Sequence, residues 1–342
     1  MPIDQSLLHY ADAAIPEHGE TTTLAPGVEW LRMPLPFLLG HINLWLLSED
    51  DGTVCIVDSG LNSKDTKALW ETQLNERDVS RVVVTHMHPD HVGCAGWLCE
   101  KHDVPLYMTR GEYLMCRVLV ADTGKEAPLA GQQFYQAAGF DTDALDRYRE
   151  MFGGFGKAVY QMPDAFERLQ HGQILEIGSR EWQVITTSGH CPEHASLYCA
   201  KDKLLIAGDQ LLPTISSNVS VWPTEPNADP LGFWLDSCRL LLDSIAEDTL
   251  VLPSHGKPFR AAHMRLNALI DEHETGLEKL KTLCQTPQRT IDTFPALFKS
   301  KITPGNLIMA TGEAIAHLNY LVARGQMLVA TDSDGVLWYQ SA

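Results

Sequence analysis

The stretch VVVTHMHPDHVG, residues 82–93, sets three histidines and an aspartate within six positions, directly behind an apolar run. The run reads as a buried strand, being short, β-branched and continuous. In extended chain alternate residues share a face, so His86 and His88 can grip one ion together. Pro89 turns the chain. Past that turn, Asp90 and His91 can face a second ion beside the first. Imidazole and carboxylate ligands suit zinc, with iron or manganese as alternatives. Two ions need more donors than one loop holds, so the others must come from elsewhere in the chain.

They stand at the ends of other apolar runs. Strand-like segments lie at 45–49 (WLLSE), 54–58 (VCIVD), 81–85 (RVVVT), 183–187 (QVITT), 203–208 (KLLIAG) and 249–253 (TLVLP). Five of them end on residues able to ligate or orient a metal: Asp58, the 86–91 group, His190, Asp209 and His255. In α/β folds, strand ends are where sites assemble. His190 would complete a three-histidine group with His86 and His88. His255 would complete the group of Asp90 and His91. Asp209, with two carboxylate oxygens, would bridge both. Two divalent ions with open positions hold a bridging hydroxide, the pKa of the water falling to about 7.

The chain has 342 residues and a formal net charge of -18. That length allows one large domain and a small one. A nucleic-acid binder needs a basic field, so the acidic balance argues against a nucleic-acid partner. The eight cysteines are scattered without a CxxC pair. The first residues lack the basic and apolar regions of an export signal, and no apolar run approaches the ~18 residues of a membrane span. The expectation is a cytoplasmic enzyme with reduced cysteines and no membrane partner.

Strands alternating with helical stretches predict an α/β domain over 1–258. Residues near 111–168 break the rhythm with helical, aromatic-rich segments. They read either as an insertion covering one side of the site or as a helical layer on the sheet. From 259 to 342, a long helix over 261–284, helices at TIDTFPALF and 304–325, and a hairpin closing on DSDG predict a winged-helix-like module. Its charges balance, so it is expected to pack or to form a homodimer rather than bind DNA.

The segment HMHPDH resembles the H-x-H-x-D-H signature of the metallo-β-lactamase superfamily. Asp58, GHCPEH with His190, AGDQ with Asp209 and PSHGKP with His255 follow in that family's order. The resemblance implies a four-layer αβ/βα sandwich. It implies His86, His88 and His190 at one metal, Asp90, His91 and His255 at the other, and Asp209 between them. The helical tail with its hairpin resembles the subgroup of the human β-lactamase-like endoribonuclease and the fungal polyketide thioesterases. Class B1 lactamases carry a cysteine ligand where Asp209 stands. Flavodiiron proteins carry a glutamate in place of the second histidine. Glyoxalase II has a glutathione-binding region with no match here. Many relatives read GHTPGH where this chain has GHCPEH.

Asp58 and His194 are expected to orient ligands rather than bind metal. Cys191 is read as a core cysteine. His41, Asn218 and Trp222 are candidates for substrate contact, the latter two in a long irregular loop after Asp209. Arg110, Arg117, Arg147 and Lys157 read as solvated helix faces. The leading expectation is a dinuclear metal hydrolase acting on a small-molecule or acyl substrate, an ester or thioester, with Asp90 orienting or deprotonating the nucleophile. The rivals are an RNA phosphodiesterase of the same superfamily and a non-catalytic metal-binding regulatory protein.

Overall fold

A computed structural model describes residues 8–36 and 39–342. Two seven-stranded sheets lie face to face. The first runs in order β2 (Thr21–Ala25), β3 (Val28–Pro34), β4 (His41–Ser48), β5 (Val54–Val57), β6 (Val79–Val83), β7 (Leu106–Thr109) and β8 (Glu167–Leu169). The second runs β1 (His9–Tyr10), β14 (Phe259–Arg260), β13 (Leu250–Pro253), β12 (Leu204–Gly208), β11 (His194–Cys199), β10 (Arg180–Thr187) and β9 (Ile174–Ile177). Parallel pairing is confined to β5–β6–β7–β8 and β12–β13; the other strand pairs are antiparallel.

The period-two pattern explains the layers. Along β4, Ile42, Leu44 and Leu46 face one core while Trp45 and Leu47 face another. Val82 and Val83 split in the same way. Such strands are buried on both faces, which is why they read as continuous apolar runs. Between the sheets lies a core of Trp30, Trp45, Trp182, Leu197, Ile206 and Leu252. Each such side chain contributes about 1.5–3 kcal/mol on burial, so this layer holds the sheets together. Outside the first sheet pack α1 (Lys64–Gln73), α3 (Ala95–His102) and α4 (Arg110–Ala121), through Trp70, Leu98 and Tyr113. Outside the second pack α7 (Pro230–Ser244), α8 (Ala262–Leu283) and α10 (Leu307–Ala323), through Trp234, Leu266 and Leu318. The expected αβ/βα sandwich is the fold observed.

The 111–168 region is the crossover between the parallel strands β7 and β8. Its parts do different things. Helix α4 packs on the sheet through Tyr113 and Cys116. Helices α5 (Leu129–Ala137) and α6 (Thr142–Met151) build a small separate core of Tyr135, Phe140 and Tyr148, against Ile291 and Leu307.

At the carboxy-terminal end, β16 (Met327–Thr331) and β17 (Leu337–Ser341) form the expected hairpin, and β15 (Gln288–Arg289) joins it as a third strand. The helix expected at TIDTFPALF is instead a 3-10 turn over Thr290–Thr293 followed by the single α-turn α9 (Phe294–Leu297). The Thr293 hydroxyl donates to the Thr290 carbonyl, a local bond that competes with a regular helix, and Pro295 lacks the amide to extend one. Among the described residues no helix is long and apolar enough to cross a membrane.

His273 of α8 and His317 of α10 face each other inside the second helical layer, Nδ1 to Nε2 3.1 Å. Burial pushes His273 down to about 3 and His317 down to about 4. Both stay neutral in the folded protein, while the unfolded chain takes up protons below the ordinary histidine value of about 6.5. Their contribution to stability is therefore complete above about pH 6.5 and is lost as pH falls toward 4. Thermal melts across that range should show a steep drop, shallower in a His273→Gln/His317→Gln double variant. Equal slopes in the two proteins would refute the assignment.

Candidate metal centre

The polar residues that follow β5, β6, β10, β12 and β13 meet at one end of the sandwich. Asp58, just past β5, is a non-glycine residue at φ 61°. That backbone costs about 1 kcal/mol or more for such a residue. The conformation aims its carboxylate at the next loop. Oδ1 accepts from the Thr85 amide at 2.8 Å, and Oδ2 accepts from the Thr85 hydroxyl at 2.8 Å and from His91 Nδ1 at 2.8 Å. After β6 the chain runs through His86 and His88 into the single turn α2 (Pro89–Val92). Ser59 ties that turn down, its hydroxyl donating to the His91 carbonyl at 2.7 Å. Gly93 is required there: a Cβ would lie 2.3 Å from the Pro89 carbonyl oxygen and 2.5 Å from the Asn62 nitrogen.

Each outward-facing imidazole nitrogen that finds a partner leaves its sister nitrogen pointing inward with a lone pair. His91 donates to Asp58. The Thr85 hydroxyl spends its proton on Asp58 and therefore accepts from His86 Nδ1, at 3.1 Å. His190 Nδ1 donates to the Asn218 carbonyl at 2.8 Å, and His255 Nδ1 to the His41 carbonyl at 2.9 Å. Carbonyl and carboxylate partners of this kind fix the tautomer a metal ligand needs.

The inward atoms form two groups. His86, His88, His190 and Asp209 offer ligand atoms within 4.8 Å of one another, as do Asp90, His91 and His255. His86 Nε2 is 2.9 Å from His88 Nδ1 and 3.3 Å from His190 Nε2. Asp209 faces both groups: Oδ2 lies 3.5 Å from His190 Nε2, and Oδ1 lies 3.4 Å from His91 Nε2 and 3.5 Å from His255 Nε2. His91 Nε2 and Asp209 Oδ1 are buried with no hydrogen-bond partner. Left so, each would cost about 1–3 kcal/mol.

The charges point the same way. Burial alone would push His91 down, but Asp209, Asp58 and Asp90 carry it well above the ordinary value. Burial opposes charge on His255 as well, and Asp209 and Asp90 raise it. Burial would raise Asp209, yet His91 and His255 hold it well below the usual carboxylate range. In the first group burial keeps His86 well below its ordinary value and His88 at about 3, so both present neutral nitrogen. Asp90 and Asp209 thus draw positive charge into the pocket, which fits divalent cations that take the place of the protons on His91 and His255 and bind the deprotonated groups.

The first family model matched, described as "Metallo-beta-lactamase superfamily", covers residues 38–255. The chain belongs to the metallo-β-lactamase superfamily. A second model, "Metallo-beta-lactamase-like, C-terminal domain", matches residues 277–342. A crystal structure of a beta-lactamase domain protein from Burkholderia ambifaria is 40% identical, covers 99% of each chain and superposes with a TM-score of 0.89. The probable metallo-hydrolase YqjP of Bacillus subtilis strain 168 is 23% identical, over 86% of this chain and 91% of its own. The human acyl-coenzyme A thioesterase MBLAC2 is 22% identical, over 71% of this chain and 82% of its own. Family and site together make this chain a metallo-hydrolase.

The remaining sequence candidates have definite places around this superfamily site. His194, fully buried, accepts the Asp209 amide at Nε2, 3.2 Å, and burial holds it neutral, well below its ordinary value. His41 accepts the Gly256 amide at Nε2, 3.1 Å, besides lending its carbonyl to His255. Asn218 gives its carbonyl to His190 and its side-chain amide to Glu313 of α10, 2.8 Å. Trp222 is 40% exposed on the same loop. Three partners escaped sequence reading. Thr85 was visible only as the last residue of a strand. Glu313 lies about a hundred residues from the loop it holds. Arg265, whose guanidinium donates to the carbonyls of Leu212 and Ile215 at 2.7 Å each, sits in a helix with no motif.

Proposed function

We propose that the chain is a dinuclear metal-dependent hydrolase that cleaves an ester, thioester or related acyl bond. The observation that carries the reading is the convergence of both ligand groups on Asp209. In this reading His86, His88 and His190 hold one divalent ion and Asp90, His91 and His255 hold the other, with Asp209 between them. Zinc suits the donor set best, with iron and manganese next. When bound, such ions polarise an acyl oxygen and let water lose its proton near neutral pH.

The protein's own groups do the rest. Burial would raise the Asp90 carboxyl, but His91 and His255 keep it below its ordinary value, so it stays ionised and can orient the nucleophile or accept its proton. Asp58, His41 and Asn218 keep His91, His255 and His190 from rotating. Trp222, Ile215 and Met309 are exposed on the loop after Asp209 and on the helix packed against it, and offer apolar surface to an acyl group. The name of the human relative supports the thioester class. The carboxy-terminal helices and hairpin act in this reading as a winged-helix-like packing module.

Metal analysis of the purified chain by mass spectrometry should find two equivalents. Chelation should abolish activity, and metal at a thousandfold above its Kd should stabilise the fold by about 4 kcal/mol. In a panel of esters, thioesters, lactones and bis(p-nitrophenyl) phosphate, the acyl compounds should turn over. Cleavage of the phosphodiester alone would overturn the acyl reading. A chain unable to take up zinc, iron or manganese would overturn the metal site.

A further inference from the structure

Glu112 is a fully buried carboxylate on the third residue of α4, and no feature of the sequence singles it out. Both of its oxygens are used. Oε2 accepts the amide of Met87, the residue between His86 and His88, at 2.9 Å. Oε1 accepts the amide of Glu193, three residues after His190, at 2.7 Å. The protonated thiol of Cys191, next to His190, lies against the same carboxylate. The loop in turn grips the helix. Thr109 donates its hydroxyl to the Glu193 carbonyl at 2.7 Å, and the Gly111 amide donates to Glu193 Oε2 at 2.7 Å.

The three histidines of one ligand group thus come from two loops on two different sheets. A single carboxylate from a third element spans those loops. We propose that Glu112 is a positioning residue that sets the His86–His88 loop and the His190 loop in register, so that the first helix of the 111–168 crossover serves the three-histidine metal group. The chemistry follows from donor geometry. A carboxylate accepts from two amides at once. A glutamine in the same place offers one oxygen and one NH2, which would face a backbone N–H donor to donor. One loop must then shift and carry its histidines with it, and we take as the scale of that effect the roughly ten- to a hundredfold in metal affinity that the groups orienting metal ligands are worth. Asp90, His91 and His255 make no hydrogen bond to Glu112, and Ser59, Asp58 and His41 anchor the Asp90–His91 turn and His255 separately, so their group acts as an internal reference.

The inference rests on the dinuclear reading, and zinc titration separates the two. The full chain, stripped of metal, is titrated with zinc by calorimetry, as wild type and as Glu112→Gln. Wild type should take up two equivalents. Glu112→Gln should keep one event unchanged and show the other weakened roughly ten- to a hundredfold. Substitution with cobalt should show the same selective loss in the visible absorption of one site. Two unchanged events in Glu112→Gln overturn the role of Glu112 while leaving the metal site standing. Equal loss of both events overturns it too, since it marks general damage rather than positioning. A wild type that binds no zinc overturns both readings. Should Glu112→Gln fail to fold by circular dichroism, Glu112→Asp carries the test. It keeps the charge but is too short to span both loops, and unchanged affinity at both sites would overturn the proposal.

Discussion

An Asp209→Ala variant is expected to lose at least about a thousandfold in kcat/KM, roughly 4 kcal/mol of transition-state stabilisation. Asp209 is the residue whose two oxygens face different ligand groups, Oδ2 toward His190 and Oδ1 toward His91 and His255. Alanine removes from both groups at once a donor and a negative charge that would offset the ions. Metal content should fall together with activity. Asp209→Asn, which keeps the shape and one acceptor, should fall between wild type and alanine. The measurement pairs steady-state kinetics on an acyl substrate with metal per chain. Full activity in the alanine variant would remove the shared role, and full metal content with lost activity would move Asp209 from binding to catalysis alone.

Asp58→Ala should have the second largest effect, and on stability as well as function. Three buried donors lose their acceptor together: the Thr85 amide, the Thr85 hydroxyl and His91 Nδ1. At about 1–3 kcal/mol for each unsatisfied group, a loss of about 3 kcal/mol or more is expected, partly offset by whatever water enters. With its anchor gone, His91 is free to rotate, and affinity at the group of Asp90, His91 and His255 should fall roughly ten- to a hundredfold. Asp58→Gly separates backbone from side chain. Glycine relieves the left-handed φ of 61° but supplies no acceptor, so it should be only slightly better than alanine. Denaturant unfolding of the metal-free chain with zinc titration checks both parts. If Asp58→Gly matched wild type in both, the residue would be a turn former and nothing more.

Both variants act on residues legible in the sequence, and the reason is local. His86, His88, Asp90 and His91 are crowded into one turn, and Asp58, His190, Asp209 and His255 each follow an apolar run. Strand ends are short-range features, read from β-branching and burial on both faces. The α/β character was legible for the same reason, whereas the four-layer sandwich followed only from the likeness to a known family. Strands β2, β3, β7, β8, β9 and β11 were not among the runs read. HASLYC looks like the end of a polar loop until β10 and β12 flank it. The double character of the 111–168 region was hidden too, because α4, α5 and α6 all read as helices and what each packs against is not a local feature.

Chain order by itself determined the donor set, its likeness to a known family and the strands that carry it, because ligand type and strand burial are properties of neighbouring residues. The tertiary structure alone decided who holds the donors. Asn218 reaches Glu313, His41 reaches His255 and Glu112 reaches both Met87 and Glu193 across 95, 214, 25 and 81 positions. A hydrogen bond from a side chain to a distant side chain or backbone group leaves no periodicity and no spacing in the sequence. It exists only once two sheets and their crossover helix have closed on one another.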